Sequence, residues 1–173
     1  MKKIHTIMLL AAMMLLGSDA FGQAIAKGDF IIQPNFNLGS HGSFDTRIRS
    51  FVPGFTLNLD YAVHDYVTVG GFAGFGGRNN YIEFVAGARG VFQWWQLVDD
   101  KAEKDLKSDQ LSLYLPVHLG VYFGRIKGFD ADAAFNGGAG LGIGYWFNEN
   151  VGLAFEFGWM EMSWAKIGVP IKL

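Results

Sequence analysis

The chain has 173 residues, with 14 Lys and Arg against 16 Asp and Glu, so a formal charge of -2 leaves no basic surplus to neutralise phosphates and nucleic acid is not an expected partner. Its lack of cysteine excludes disulfides, thiolate metal sites, catalytic thiols and a lipid-bearing cysteine within these residues. With 24 Gly, 16 Phe and half of its residues hydrophobic, it reads as one domain adapted to apolar surroundings without membrane helices.

Taken in chain order, Lys2 and Lys3 precede an apolar run over residues 7–16, and Gly17, Ser18, Ala20 and Gly22 follow it. Positive start, apolar centre and small residues form the pattern of a secretory signal peptide. Cleavage is expected after Gly22, making residues 1–22 the export signal and 23–173 the mature domain. The apolar run is about half of the roughly 20 residues that a membrane-crossing helix needs, which disfavours an uncleaved anchor.

From Gln23 onward, apolar side chains alternate with small or polar ones. The alternation predicts strands near 29–39, 49–63, 66–77, 81–95, 111–124, 133–147, 150–160 and 164–173. In the second strand Phe55, Leu57, Leu59 and Tyr61 oppose Thr56, Asn58, Asp60 and Ala62; in the fifth, Leu113, Leu115, Val117 and Leu119 oppose Tyr114, Pro116, His118 and Gly120. Successive strand side chains point to opposite faces, so each segment has one greasy wall. About ten residues tilted near 45° match the apolar band, roughly 25 Å tall, of a membrane barrel.

The polar walls collect Gln33, Asn35 and Asn37, then Asp60, Glu83, Arg89, Gln93, His118, Asn136, Glu156 and Lys166. Such groups are costly in hydrocarbon but can pair inside a closed barrel. The predicted lumen network is therefore Glu83, Arg89, His118, Glu156 and Lys166, with Glu83 or Glu156 facing Arg89 or Lys166. A water-soluble barrel would reverse the two walls. Glycines at 138, 140, 142 and 144 fall on the polar wall and are expected to make room for bulky partners such as Phe72 or Trp146. Their spacing is not that of a dinucleotide-binding loop. Tyr61, Trp94, Tyr145, Trp159 and Trp164 stand near predicted strand ends, as in the aromatic girdles of membrane barrels.

The last strand sets Ile167, Val169, Ile171 and Leu173 on its apolar face. With the signal peptide and the turn at 147–153, it resembles the terminal strand of small bacterial outer-membrane β-barrels of the OmpA/OmpX type, within the porin-like family. Family members usually end on an aromatic residue, where this chain has Leu173. The resemblance implies an all-β fold: a closed antiparallel transmembrane β-barrel of about eight strands in an up-and-down meander. It further implies location in the bacterial outer membrane, lipid and lipopolysaccharide as neighbours, and the barrel-assembly machinery as a partner in biogenesis.

In such barrels both termini face the periplasm. His64 and Asp65, and Asn148 to Asn150, would then be periplasmic turns, whereas 40–47, 78–80, 125–132 and 161–163 would face outward and offer any extracellular ligand its contacts. Residues 99–110 fall on the periplasmic side, where turns are normally short, and are expected to form a helical turn or to extend two strands.

The expected role is structural or surface-interacting, with the lumen filled by side chains. Alternatives are a narrow pore or carrier of small hydrophobic molecules, and a lipid A-modifying enzyme. Ser112 and His118 lie six residues apart on one strand, roughly 20 Å, so they cannot share a proton. His41 with Ser40, Ser43 and Asp45 reads more readily as a solvated turn than as a catalytic cluster. No enzyme activity, cofactor or metal is expected, since no ligand spacing calls for one.

Overall fold

The computed structural model describes residues 25–38, 53–78, 80–102, 106–128 and 130–173. The expected signal peptide and the His41 cluster lie outside them. The elements are β1 (Phe30–Asn37), β2 (Gly54–His64), β3 (Val67–Arg78), β4 (Tyr81–Phe92), α1 (Trp94–Ala102), β5 (Leu111–Ile126), β6 (Asp132–Trp146), β7 (Gly152–Gly158), β8 (Ala165–Gly168) and β9 (Ile171–Lys172). Neighbours from β1 to β8 pair antiparallel in chain order.

Closure comes from β8 and β9, which both pair with β1, at Asn35↔Gly168 and Ile31↔Lys172. Together they form one strand interrupted at Pro170, whose ring has no N–H to give a ladder. The chain nevertheless stays in place there: Val169 N donates to Pro34 O at 3.0 Å and Gly152 N donates to Pro170 O at 3.0 Å. The result is a closed, eight-strand, up-and-down antiparallel barrel. No helix among the described residues is long and apolar enough to cross a membrane.

Alternation decides which wall faces in. Along β2 burial switches at every residue from Gly54 to Ala62, with Thr56, Asn58, Asp60 and Ala62 inside and Phe55, Leu57, Leu59 and Tyr61 outside. The inward glycines do make room for large side chains, but not for the ones expected. A side chain at Gly142 would run into the Tyr114 ring, and one at Gly140 into Met160. Phe72 instead abuts Gly120, and Trp146 abuts Gly152, so in both cases the vacated space lies on a strand other than the predicted one.

The predicted fourth strand is too long by three residues. β4 ends at Phe92, and Trp94 opens α1. The adjacent Trp94 and Trp95 break the alternation, and the Gln, Leu, Lys and Ala that follow favour helix. Trp94 is thus a half-buried helix residue two positions beyond the end of β4, its ring 5.6 Å from that of Trp95. Helix α1 folds over the end of the barrel where Phe30 and Leu173 meet, here called the base. Its Gln96 Nε2 donates to Ile25 O at 2.9 Å.

After α1 the chain returns to β5 through a loop organised by Asp99, whose carboxylate accepts from Leu106 N at 2.8 Å and Ser108 N at 3.1 Å. Hydrogen bonds from the Ser108 side chain and the Leu106 backbone hold this carboxyl below its ordinary range. A carboxyl depressed in the folded state stabilises above its unfolded pKa, and that stabilisation is lost as pH falls through the lower folded value. On acidification the Leu106 and Ser108 amides should therefore keep their hydrogen-exchange protection, corrected for intrinsic rate, until the pH drops below about 4. Asp99→Asn should abolish the transition, and a protection profile indifferent to that substitution would count against the loop assignment.

Candidate functional site

The lumen is layered. Ile25, Ile31, Ala62 and Trp146 form an apolar layer at the base, and Phe72, Val85, Tyr122 and Met162 form another toward the opposite rim. Between them lies a cluster of charges. Arg89 of β4 donates through Nη2 to Glu156 Oε1 at 2.8 Å, through Nη1 to Glu161 Oε1 at 2.9 Å and through Nε to Asp60 Oδ2 at 3.2 Å. Lys166 of β8 reaches Glu161 Oε2 at 2.6 Å and Glu156 Oε2 at 3.1 Å. Gln33 Nε2 and the Tyr114 hydroxyl each donate to Glu156 Oε1 at 3.0 Å. With its amide oxygen turned to the cations, Asn58 accepts from Arg89 Nη1 at 3.0 Å and from Lys166 Nζ at 3.3 Å.

All five charged side chains are at most 5% exposed, so the pairs act at short range with little screening by bulk water. Their positions follow from strand alternation: Asp60, Arg89, Glu156 and Lys166 each occupy inward sites on β2, β4, β7 and β8. Glu161 arrives differently. The link between β7 and β8 turns back into the lumen, with Gly158 N donating to Trp164 O at 2.8 Å and Met160 N to Ser163 O at 3.2 Å. Met160, Glu161, Met162 and Ser163 are at most 1% exposed.

Of the five residues predicted for a lumen network, Arg89, Glu156 and Lys166 meet in this cluster. Glu83 does not pair with either cation; it lies nearer the rim and takes hydroxyl hydrogen bonds from Tyr81, at 2.7 Å, and from Tyr122. His118 is inward, with Nε2 3.3 Å from Asn136 Oδ1 and its ring edge-on to Phe72 at 5.7 Å. Ser112 donates to Gln93 at 2.7 Å and has no contact with His118. Residues 161–163, expected to face outward, are the innermost part of their loop. Two methionines flanking Glu161 between Trp159 and Trp164 were the only local hint that this loop seeks burial.

Below the charges is a cavity of about 30 Å³, lined by Gln33, Asp60, Thr68, Arg89 and Tyr114 among others, with room for one or two water molecules. The outer wall is apolar: Leu59, Phe84, Leu119, Leu141, Phe155 and Phe157 are between 37% and 61% exposed. Tyr61, Tyr145, Trp159 and Trp164 of the predicted girdles are exposed on it, between 45% and 62%. Ile167, Val169 and Leu173 of the last strand also point outward, while Ile171 is half-buried.

The fold recurs in solved structures. The N-terminal β-barrel domain of Pseudomonas aeruginosa OprF superposes with a TM-score of 0.55 at 15% identity, covering 85% of this chain and 98% of that one. Neisserial surface protein A (NspA) superposes with a TM-score of 0.56 at 11% identity, again covering 85% and 98%. The fold is that of the small outer-membrane β-barrels. No protein-family model and no curated protein matches the sequence. Within this barrel fold, Arg89, Glu156, Glu161 and Lys166 form the internal tie, and no group of three or more His, Cys, Asp or Glu among the described residues is placed to hold a metal.

Proposed function

We propose that this chain is an outer-membrane protein whose barrel is an anchor with a closed lumen, serving a structural or surface-interaction role. The observation that carries the reading is the inversion of walls: Leu59, Leu119 and Phe157 stand outside while Arg89, Glu156 and Lys166 are sealed within. In water such an exterior would be a large exposed apolar patch, whereas in a bilayer it is the surface that contacts lipid tails. Export through the signal peptide cleaved after Gly22, insertion by the barrel-assembly machinery reading the strand that ends at Leu173, and lipopolysaccharide as outer-leaflet neighbour belong to the same proposal.

Among the described residues, the charge cluster, the apolar layers and the inward loop at 160–163 occupy the lumen, which supports a barrel closed to solute diffusion. Refolded protein in planar bilayers should therefore give no discrete conductance steps. It should also migrate differently in gels before and after boiling, as closed barrels do, and fractionate with outer membranes. Regular channel openings would replace the anchor reading by the pore reading, and recovery of the mature chain dissolved in periplasm would end the membrane reading altogether. Among the described residues no contact in the lumen favours the lipid A-modifying alternative: Ser112 donates to Gln93, and His118 Nε2 faces Asn136.

A further inference from the structure

β6 outruns its neighbour. It has 15 residues, whereas β7 has 7. Their ladder begins at Gly140↔Gly158, and the last bond on that side is from Trp159 N to Ala139 O at 3.0 Å. Toward the rim, β6 continues to Asp132 paired with β5 alone, from Val117↔Ala139 to Gly124↔Asp132. At about 3.3 Å per residue, roughly 23 Å of strand is open along one side.

Strand residues alternate in the side to which their N–H and C=O point. Ala139 directs its carbonyl to the β7 side, so Phe135 and Gly137 direct both groups there, and Ala133 its carbonyl. The Ala133 N–H is taken by Asp132 Oδ1 at 2.9 Å. Among the described residues, no main-chain or side-chain group meets the others. Natural edges of this length are usually guarded by charge, proline or a bulge. Residues 133–139 contain neither charge nor proline, and their register with β5 runs without a shift. Phe135 is 81% exposed. At the rim end, Asp130 and Asp132 are exposed and form no ion pair among the described residues.

We propose that the open edge of β6 is a strand-addition site for an extended peptide segment of another protein, running antiparallel to β6, with an apolar side chain against Phe135 and a basic residue beside Asp130 and Asp132. Backbone pairing supplies the affinity in such a mode, and side chains supply the selectivity. A second copy in the same membrane is the wrong geometry. Two barrels related by rotation about the membrane normal cross their β6 strands at twice the strand tilt, about 70–90°, which cannot form a ladder. That the site faces the cell exterior rests on the membrane reading above; the pairing chemistry does not.

The test uses refolded protein in detergent micelles and, as probe, the capped hexapeptide Thr-Val-Thr-Val-Thr-Lys. Hydrogen exchange read by NMR should slow about tenfold or more at the Phe135 and Gly137 amides when peptide saturates, whereas Asn136 and Gly138, already bonded to β5, should not change. Gly137→Pro removes a donor only from the open side and should abolish the peptide effect at Phe135 while heat-dependent gel migration stays intact. Exchanging the peptide lysine for glutamate should weaken binding about threefold. No slowing at Phe135, unchanged binding by Gly137→Pro, or protection already present without peptide each overturns the proposal; protection that instead grows with protein concentration assigns the edge to a second copy. Because the readout needs only a folded barrel, it stands apart from fractionation and conductance, which judge the membrane reading.

Discussion

Replacing Arg89 by alanine should lower the stability of the barrel by about 3–5 kcal/mol, the range expected when one partner of a buried charge cluster is removed and the others stay behind. Arg89 faces Asp60, Glu156 and Glu161 at 3.2, 2.8 and 2.9 Å, and without it Lys166 alone is left against three carboxylates. Equilibrium unfolding in urea from detergent micelles measures the loss. The charge itself is responsible only if the neighbours share it, so the cycle of Arg89→Met, Glu156→Leu and the double variant should show a coupling of about 1–3 kcal/mol. The double variant should then be less damaged than the sum of its parts, since it preserves the balance of signs. An Arg89→Ala cost below about 1 kcal/mol would mean that water reaches the cluster and that the lumen is not closed.

Leu59→Arg should cost about 2–4 kcal/mol when the barrel is folded into a bilayer, and Val63→Arg only about 0–1 kcal/mol. Both residues face outward on β2 and are 41% exposed, so they differ chiefly in depth: Leu59 is central in the strand and Val63 lies beside the turn at the base. A guanidinium at the centre of the hydrocarbon must drag water inward or distort the lipid, while one near the headgroups extends into water. On a barrel surrounded by water, both substitutions would fall within about 0.5 kcal/mol of neutral. Folding titrations in lipid vesicles therefore test lipid contact directly, and equal costs at the two positions would contradict it.

Much of this architecture is a local property of the chain. In β2, alternation over residues 54–62 alone separates Leu57 and Leu59 from Asn58 and Asp60, because neighbouring strand side chains must point to opposite walls. The same logic assigns Arg89, Glu156 and Lys166 to the interior before any partner is known. It fails where alternation stops. Trp94 and Trp95, side by side, break the period of two, and the composition after them suits the helix that forms. Pro170 looked compatible with one uninterrupted last strand, and it instead divides β8 from β9.

What the sequence by itself determined is the approximate limits of the strands and the polarity of each wall, since these follow from a period of two, while the antiparallel meander is what its resemblance to small outer-membrane barrels implies. Only the tertiary structure decided who meets whom: that Arg89 and Lys166 share Glu156 while Glu83 goes to Tyr81 and Tyr122, that the loop bearing Glu161 turns inward, and that β6 outruns β7. Those outcomes depend on the stagger and tilt adopted when the sheet closes, which set the height of each inward residue in the lumen, and residues far apart in the chain fix that stagger jointly.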